Sequence, residues 1–279
     1  MLFAAILSVA CAETDGIVQV QSDFMSDRAA HPTTLLVKRP SPQDWPRDSI
    51  PDPVRTVRFP SAVGDLQGWI WDAPGPGPHP VVVYFHGGFA WGLDDLAVCR
   101  PFVEAGYTVF TPSWRGENGN PGNHEYFYGE LDDALAAIRW IATQPGIDPK
   151  RISTFGHSAG GVLSGMIALV PDVEVEHTGS AGGIYPEASF DTFDQFVPFD
   201  RKNVTERRLR GWVHYLGSMK RPHHAWIGRQ DWLARWVPEL ERDAEAAHAP
   251  LTVTLLPGDH GEELEAAIYA YLLLVLGPA

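Results

Sequence analysis

From residue 81 onward, continuous apolar runs alternate with stretches whose apolar residues recur every three or four positions. Val81-Val82-Val83-Tyr84-Phe85 is apolar throughout, as expected of a strand covered on both faces. Tyr107 to Thr111, Arg151 to Phe155, a segment near 179–184, His223 to Ile227 and Leu251 to Leu256 read as further strands. Between them, 130–143 places Leu131, Ala134, Leu135, Ile138, Ile141 and Ala142 on one helical stripe, stopped by Pro145-Gly146. Helices are also expected near Leu96 to Glu104, over Val162 to Val170, from Pro238 to Ala247 and from Glu262 to Leu276. Val54 to Phe59 and Gln67 to Trp71 read as an antiparallel entry hairpin joined near Gly64-Asp65. The alternation predicts an α/β fold, a mostly parallel central sheet with helices on both faces. Ligands in such sheets bind beyond the carboxyl ends of the strands.

The first 53 residues follow another pattern. Leu2 to Ala10 is one short apolar run, below the roughly 20 residues that span a bilayer. Residues 1–12 therefore read as an export signal, with Ala10-Cys11-Ala12 as a small-x-small cleavage site. Ser8-Val9-Ala10-Cys11 also resembles a lipoprotein box, which would place a lipid anchor on Cys11 outside the cytoplasmic membrane; the remaining reading is a cytoplasmic protein. Residues 13–53 are polar and end among Pro40, Pro42, Pro46, Pro51 and Pro53, a tether or loosely packed arm ahead of the domain at 54–279.

The 279 residues carry 44% hydrophobic and 20% charged positions, enough for a real core. A net charge of −14 disfavours phosphate backbones, so nucleic acid is not an expected partner. The two cysteines, Cys11 and Cys99, make no disulfide framework, and Cys99 reads as an inert core thiol.

The chemistry concentrates where predicted strands end. Gly156-His157-Ser158-Ala159-Gly160-Gly161 follows a strand and opens a helix, the context in which Gly-x-Ser-x-Gly marks an exposed nucleophile. His86-Gly87-Gly88-Phe89 follows the 81–85 strand; the N–H groups of Gly88 and Phe89, with that of Ala159, are candidate donors to an oxyanion. His86 is expected to brace that loop. A serine hydroxyl needs a base, and His260 lies in the loop after the 251–256 strand. His224 is expected to pack in a strand and His157 to point away from the serine. Asp231, after the 223–227 strand, is suited to orient His260, with Asp259 as rival.

The order Ser158, Asp231, His260 is that of α/β-hydrolases, and the chain resembles that superfamily over about 54–279. More narrowly it looks like the prolyl-oligopeptidase-type (S9) catalytic domain. That likeness rests on Trp114-Arg115-Gly116-Glu117-Asn118-Gly119, Gly129-Glu130, Asp132-Asp133 and Ile147 to Ile152 leading into Gly156 to Gly161. His86 to Phe89 is similar to the His-Gly-Gly region of hormone-sensitive-lipase-like esterases. The resemblance implies an α/β-hydrolase fold and hydrolysis through an acyl-serine, with no metal or organic cofactor.

An irregular insert at 185–220 is expected to form a small cap. Phe190, Phe193, Phe196 and Phe199 recur every third residue, followed by Arg207, Arg208, Arg210, Trp212 and Tyr215. These aromatics either line an apolar pocket or anchor the cap; Phe193, Phe196 and Trp232 are the candidate substrate contacts. Glu117 and Glu130 are candidate substrate contacts, with surface or structural roles the favoured reading. The leading expectation is a carboxylesterase-like serine hydrolase acting on a small ester. A peptidase acting on short peptides, a non-catalytic binding protein and transfer to an acceptor other than water stay open.

Overall fold

The computed structural model describes residues 16–44 and 49–277. The expected export segment with Cys11, and Pro46, lie outside them. Among the described residues eight strands form one sheet: β1 (Arg55–Ser61), β2 (Gly64–Trp71), β3 (His79–Phe85), β4 (Thr108–Pro112), β5 (Ile147–His157), β6 (His177–Ala181), β7 (His223–Gly228) and β8 (Leu251–Leu256). Their order is β1-β2-β4-β3-β5-β6-β7-β8; β1, β2 and β4 pair antiparallel, and β4 to β8 pair parallel. The hairpin turns earlier than its glycine predicts, because Ser61 already pairs with Gly64.

The β3 run is apolar for the reason its pattern predicts. Val81, Val83 and Phe85 join one core cluster, and Val82 and Tyr84 join the other, on alternate faces of the pleat. The nine helices among the described residues are α1 (Phe24–Ala30), α2 (Leu93–Ala97), α3 (Arg100–Glu104), α4 (Tyr128–Ile141), α5 (Ala159–Ile167), α6 (Ser189–Thr192), α7 (Val204–Arg208), α8 (Val237–Ala247) and α9 (Leu264–Leu276). The helix expected near 96–104 is two short ones. Cys99 sits at their junction, fully buried, with its pKa pushed well up by burial. None of the described helices is long and apolar enough to cross a membrane.

The described part of the N-terminal arm is not loosely packed. Asp23 caps α1 through the Ser26 amide at 3.0 Å, and Phe24 is fully buried edge-on to Tyr215. Arg28 donates to the Tyr128 carbonyl at 2.9 Å and lies over its ring. Thr33 and the Thr34 amide bond Glu206 at 2.8 Å. Proline density marks the end of the arm as a chain without regular structure, not one without contacts.

Beyond β3 the chain turns one way to β4 and then crosses back to β5 on the other side of β3. Such a reversal opens a crevice at the carboxyl edge of the sheet. The loops after β3, β5, β6, β7 and β8 all emerge on that edge.

Candidate active site

Ser158 occupies the turn between β5 and α5 with φ 53° and ψ −118°. Such a backbone costs a non-glycine residue about 1–3 kcal/mol and persists only where its surroundings fix it. Two glycines make that turn sterically feasible. A Cβ on Gly156 would lie 2.2 Å from the Gly160 carbonyl oxygen, and one on Gly160 would lie 2.0 Å from that of Phe85. The N–H groups of the first turn of α5, Ala159 included, have no carbonyl one turn back to bond.

Three side chains from three loops meet there. Asp231 Oδ2 lies 2.8 Å from His260 Nδ1, and His260 Nε2 lies 2.9 Å from Ser158 Oγ. Asp231 is held in turn by accepting the Leu233 amide at 2.9 Å through Oδ1. Burial alone would pull the His260 pKa down; the bond and charge of Asp231 outweigh it, and the net shift is upward. Asp259, the rival acid, is exposed and accepts the amides of Gly261 and Glu262 within its own turn. His224 is half-buried and stacks on Trp226.

His157 departs from expectation. Its ring turns toward the histidine loop, with Nε2 2.7 Å from the His260 carbonyl oxygen. Tyr185, which sequence reasoning did not single out, places its hydroxyl 2.9 Å from Ser158 Oγ. Burial raises the Tyr185 pKa, so the phenol stays protonated at neutral pH. The signal for both was weak: His157 closes β5 inside the serine turn and Tyr185 follows β6, so the two share a rim without sharing a sequence pattern.

The loop after β3 is braced from beneath. His86 is fully buried with Nε2 3.0 Å from Glu117 Oε2 and Nδ1 3.0 Å from the Gly87 carbonyl oxygen. Burial would lower its pKa, but the Glu117 charge more than offsets this and raises it to about 9. Asn118 grips the same loop further on, accepting the Trp91 amide at 3.2 Å and donating to its carbonyl at 3.1 Å. Arg115 makes a two-pronged pair with buried Asp133, both contacts at 2.9 Å. Glu117 and Glu130 are thus buried and structural, not surface residues; Glu130 accepts the Glu125 amide at 2.7 Å.

The expected oxyanion donors are arranged less simply than the motif implies. The Phe89 N–H donates to Gln43 Oε1 at 2.9 Å, so an arm side chain already engages it. Ser41 also bonds the Phe89 carbonyl. Gln43, Gly88, Phe89, Ser158 and Ala159 all line one cavity of about 160 Å³.

The insert at 185–220 does both things proposed for it. Phe190 and Phe199 are buried anchors, whereas Phe193 and Phe196 line the cavity with Phe89, Tyr126, Phe127 and Tyr185. Trp212 is buried and donates to the Gly183 carbonyl at 2.9 Å. Arg210 is buried against Glu206 and Thr33, while Arg207 and Arg208 bond Glu187. Trp232 does not line the cavity. It stacks on Tyr185 with ring centres 5.6 Å apart and supports the wall from behind.

The comparisons agree with this architecture. The BD-FAE family model matches residues 72–231. The uncharacterized peptidase YtmA of Bacillus subtilis is 27% identical over 124 residues, 43% of this chain and 47% of that protein. The carboxylesterase NlhH of Mycobacterium tuberculosis is 40% identical over 103 residues, 34% of this chain and 30% of that protein. The chain thus spans less than half the length of these curated relatives. The crystal structure of EstE1, a carboxylesterase cloned from a metagenomic library, shares the fold. Its TM-score is 0.64 at 17% identity, over 91% of this chain and 94% of that one. With the match covering more than half of its length, this α/β-hydrolase chain belongs to the BD-FAE family.

Proposed function

We propose that the protein is a serine hydrolase that cleaves small carboxylic esters through an acyl-serine intermediate, with Ser158 as nucleophile, His260 as base and Asp231 as its orienting acid. The observation that carries this reading is the unbroken contact from Asp231 through His260 to Ser158, at 2.8 and 2.9 Å. Ser158 Oγ attacks the ester carbonyl carbon while its proton passes to His260 Nε2, and Asp231 stabilises the imidazolium. The carbonyl oxygen becomes an oxyanion facing the N–H groups of Gly88, Phe89 and Ala159; it takes the place of Gln43 Oε1 on Phe89. Each such donor contributes about 3–4 kcal/mol to the transition state. His260 then protonates the leaving alcohol, and water, deprotonated by the same histidine, releases the acid from Ser158.

The cavity supports an uncharged, compact acyl group. Six of its ten lining residues are aromatic and none is charged. Its 160 Å³ lies below the roughly 300–1,000 Å³ of pockets for drug-sized ligands. A panel of p-nitrophenyl esters of increasing acyl length tests this. The parent should prefer short chains, and Ser158→Ala should lose at least about 10⁴-fold in kcat. Replacing Phe193 and Phe196 together by Ala should move the preference to longer acyl groups; an unchanged profile counts against the pocket.

A further inference from the structure

We propose that Glu263 is a second carboxyl partner of His260, sharing with Asp231 the stabilisation of the imidazolium; this rests on the hydrolase reading above. Glu263 has no exposed surface, and among the described residues neither of its carboxyl oxygens has a hydrogen-bond partner in another residue. Buried carboxyl oxygens are almost always bonded, so an orphaned pair calls for a reason. Its position supplies one. One ligating atom each of Asp231, His260 and Glu263 lies within 4.8 Å of the other two. Gly182 opens the space they share: a Cβ there would lie 2.9 Å from His260 Nδ1 and 3.2 Å from Glu263 Oε1. With φ +60°, that position favours glycine on backbone grounds as well.

Burial raises the Glu263 pKa to about 7, with Asp231 and Asp259 adding to the rise and the backbone N–H of Glu263 itself and the His260 charge opposing it. Tyr185 and His157 are further titratable neighbours: Tyr185 stays a neutral phenol, and the His157 ring, 5.2 Å from that of His260, has its pKa lowered chiefly by burial. Glu263 is therefore a neutral acid at low pH and gains charge in the range where a histidine base works. Its carboxylate raises His260 basicity alongside Asp231. Where Asp231 is removed, Glu263 is the acid left beside the imidazole, with a carboxyl oxygen within 4.8 Å of a ring nitrogen.

The test compares the parent, Glu263→Gln, Asp231→Ala, the double variant and Ser158→Ala on one p-nitrophenyl ester across pH. Glu263→Gln should move the acid limb of kcat/KM about half a unit to lower pH. Asp231→Ala should stay above the Ser158→Ala background, and adding Glu263→Gln should cost at least about tenfold more. Superimposable pH profiles, with a double variant no worse than Asp231→Ala, overturn the proposal. A parent no faster than Ser158→Ala overturns the hydrolase reading instead. If Glu263→Gln does not fold, Asp231→Ala decides: activity equal to the Ser158→Ala background overturns the second-partner role.

Discussion

At the scale of single residues, the site is a set of contacts around one strained serine. Among the described residues Ser158 Oγ has two partners, His260 Nε2 and the Tyr185 hydroxyl, each at 2.9 Å. Tyr185→Phe keeps the ring that stacks on Trp232 and removes only the hydroxyl. It should lower kcat/KM about fivefold, the worth of one hydrogen bond of about 1 kcal/mol, with little change in thermal unfolding. Steady-state kinetics and a melting curve check both halves. In the proposed mechanism the histidine sets the pH response. His260 must be neutral to accept a proton, and its pKa lies above the ordinary 6.5. Activity should therefore fall as pH drops, with the midpoint of kcat/KM above 6.5; a midpoint at or below that value would contradict the Asp231 and Glu263 account. Ser158, His260 and Asp231 were legible in the sequence because each follows a recognisable strand. Tyr185 and Glu263 were not, because their importance comes from burial and distance, which no spacing encodes.

At the scale of elements, the loop after β3 and the 114–120 loop act as one buried unit. His86 meets Glu117, Asn118 holds both backbone groups of Trp91, and Arg115 grips Asp133 on α4. The Trp-Arg-Gly-Glu-Asn run that carries the narrower resemblance is thus a scaffold for the Gly87-Gly88 turn. Glu117→Gln leaves a buried imidazole without its counter-charge. It should lower stability by about 3 kcal/mol, read as a shift of the urea midpoint without a change in slope. The alternation of strand and helix was readable because β3 and β5 are covered on both faces and α4 carries a clean stripe. The arm was misread for a physical reason. Its contacts are made by isolated side chains such as Phe24, Arg28 and Gln43, so no periodic pattern announces them.

At the scale of the whole molecule, the sheet order brings loops from β3, β5, β6, β7 and β8 to one edge, over which the 185–220 insert places Phe193 and Phe196. The aromatic run of the insert was legible in the sequence, but its division into anchors and cavity lining depends on which way each ring turns. The whole account depends on Ser158 being activated by His260. A fluorophosphonate probe read by mass spectrometry tests this most directly. One adduct should appear, on the peptide carrying Ser158; it should vanish in Ser158→Ala and form far more slowly in His260→Ala. A folded parent that takes up no probe, or an adduct that persists in Ser158→Ala, would contradict it.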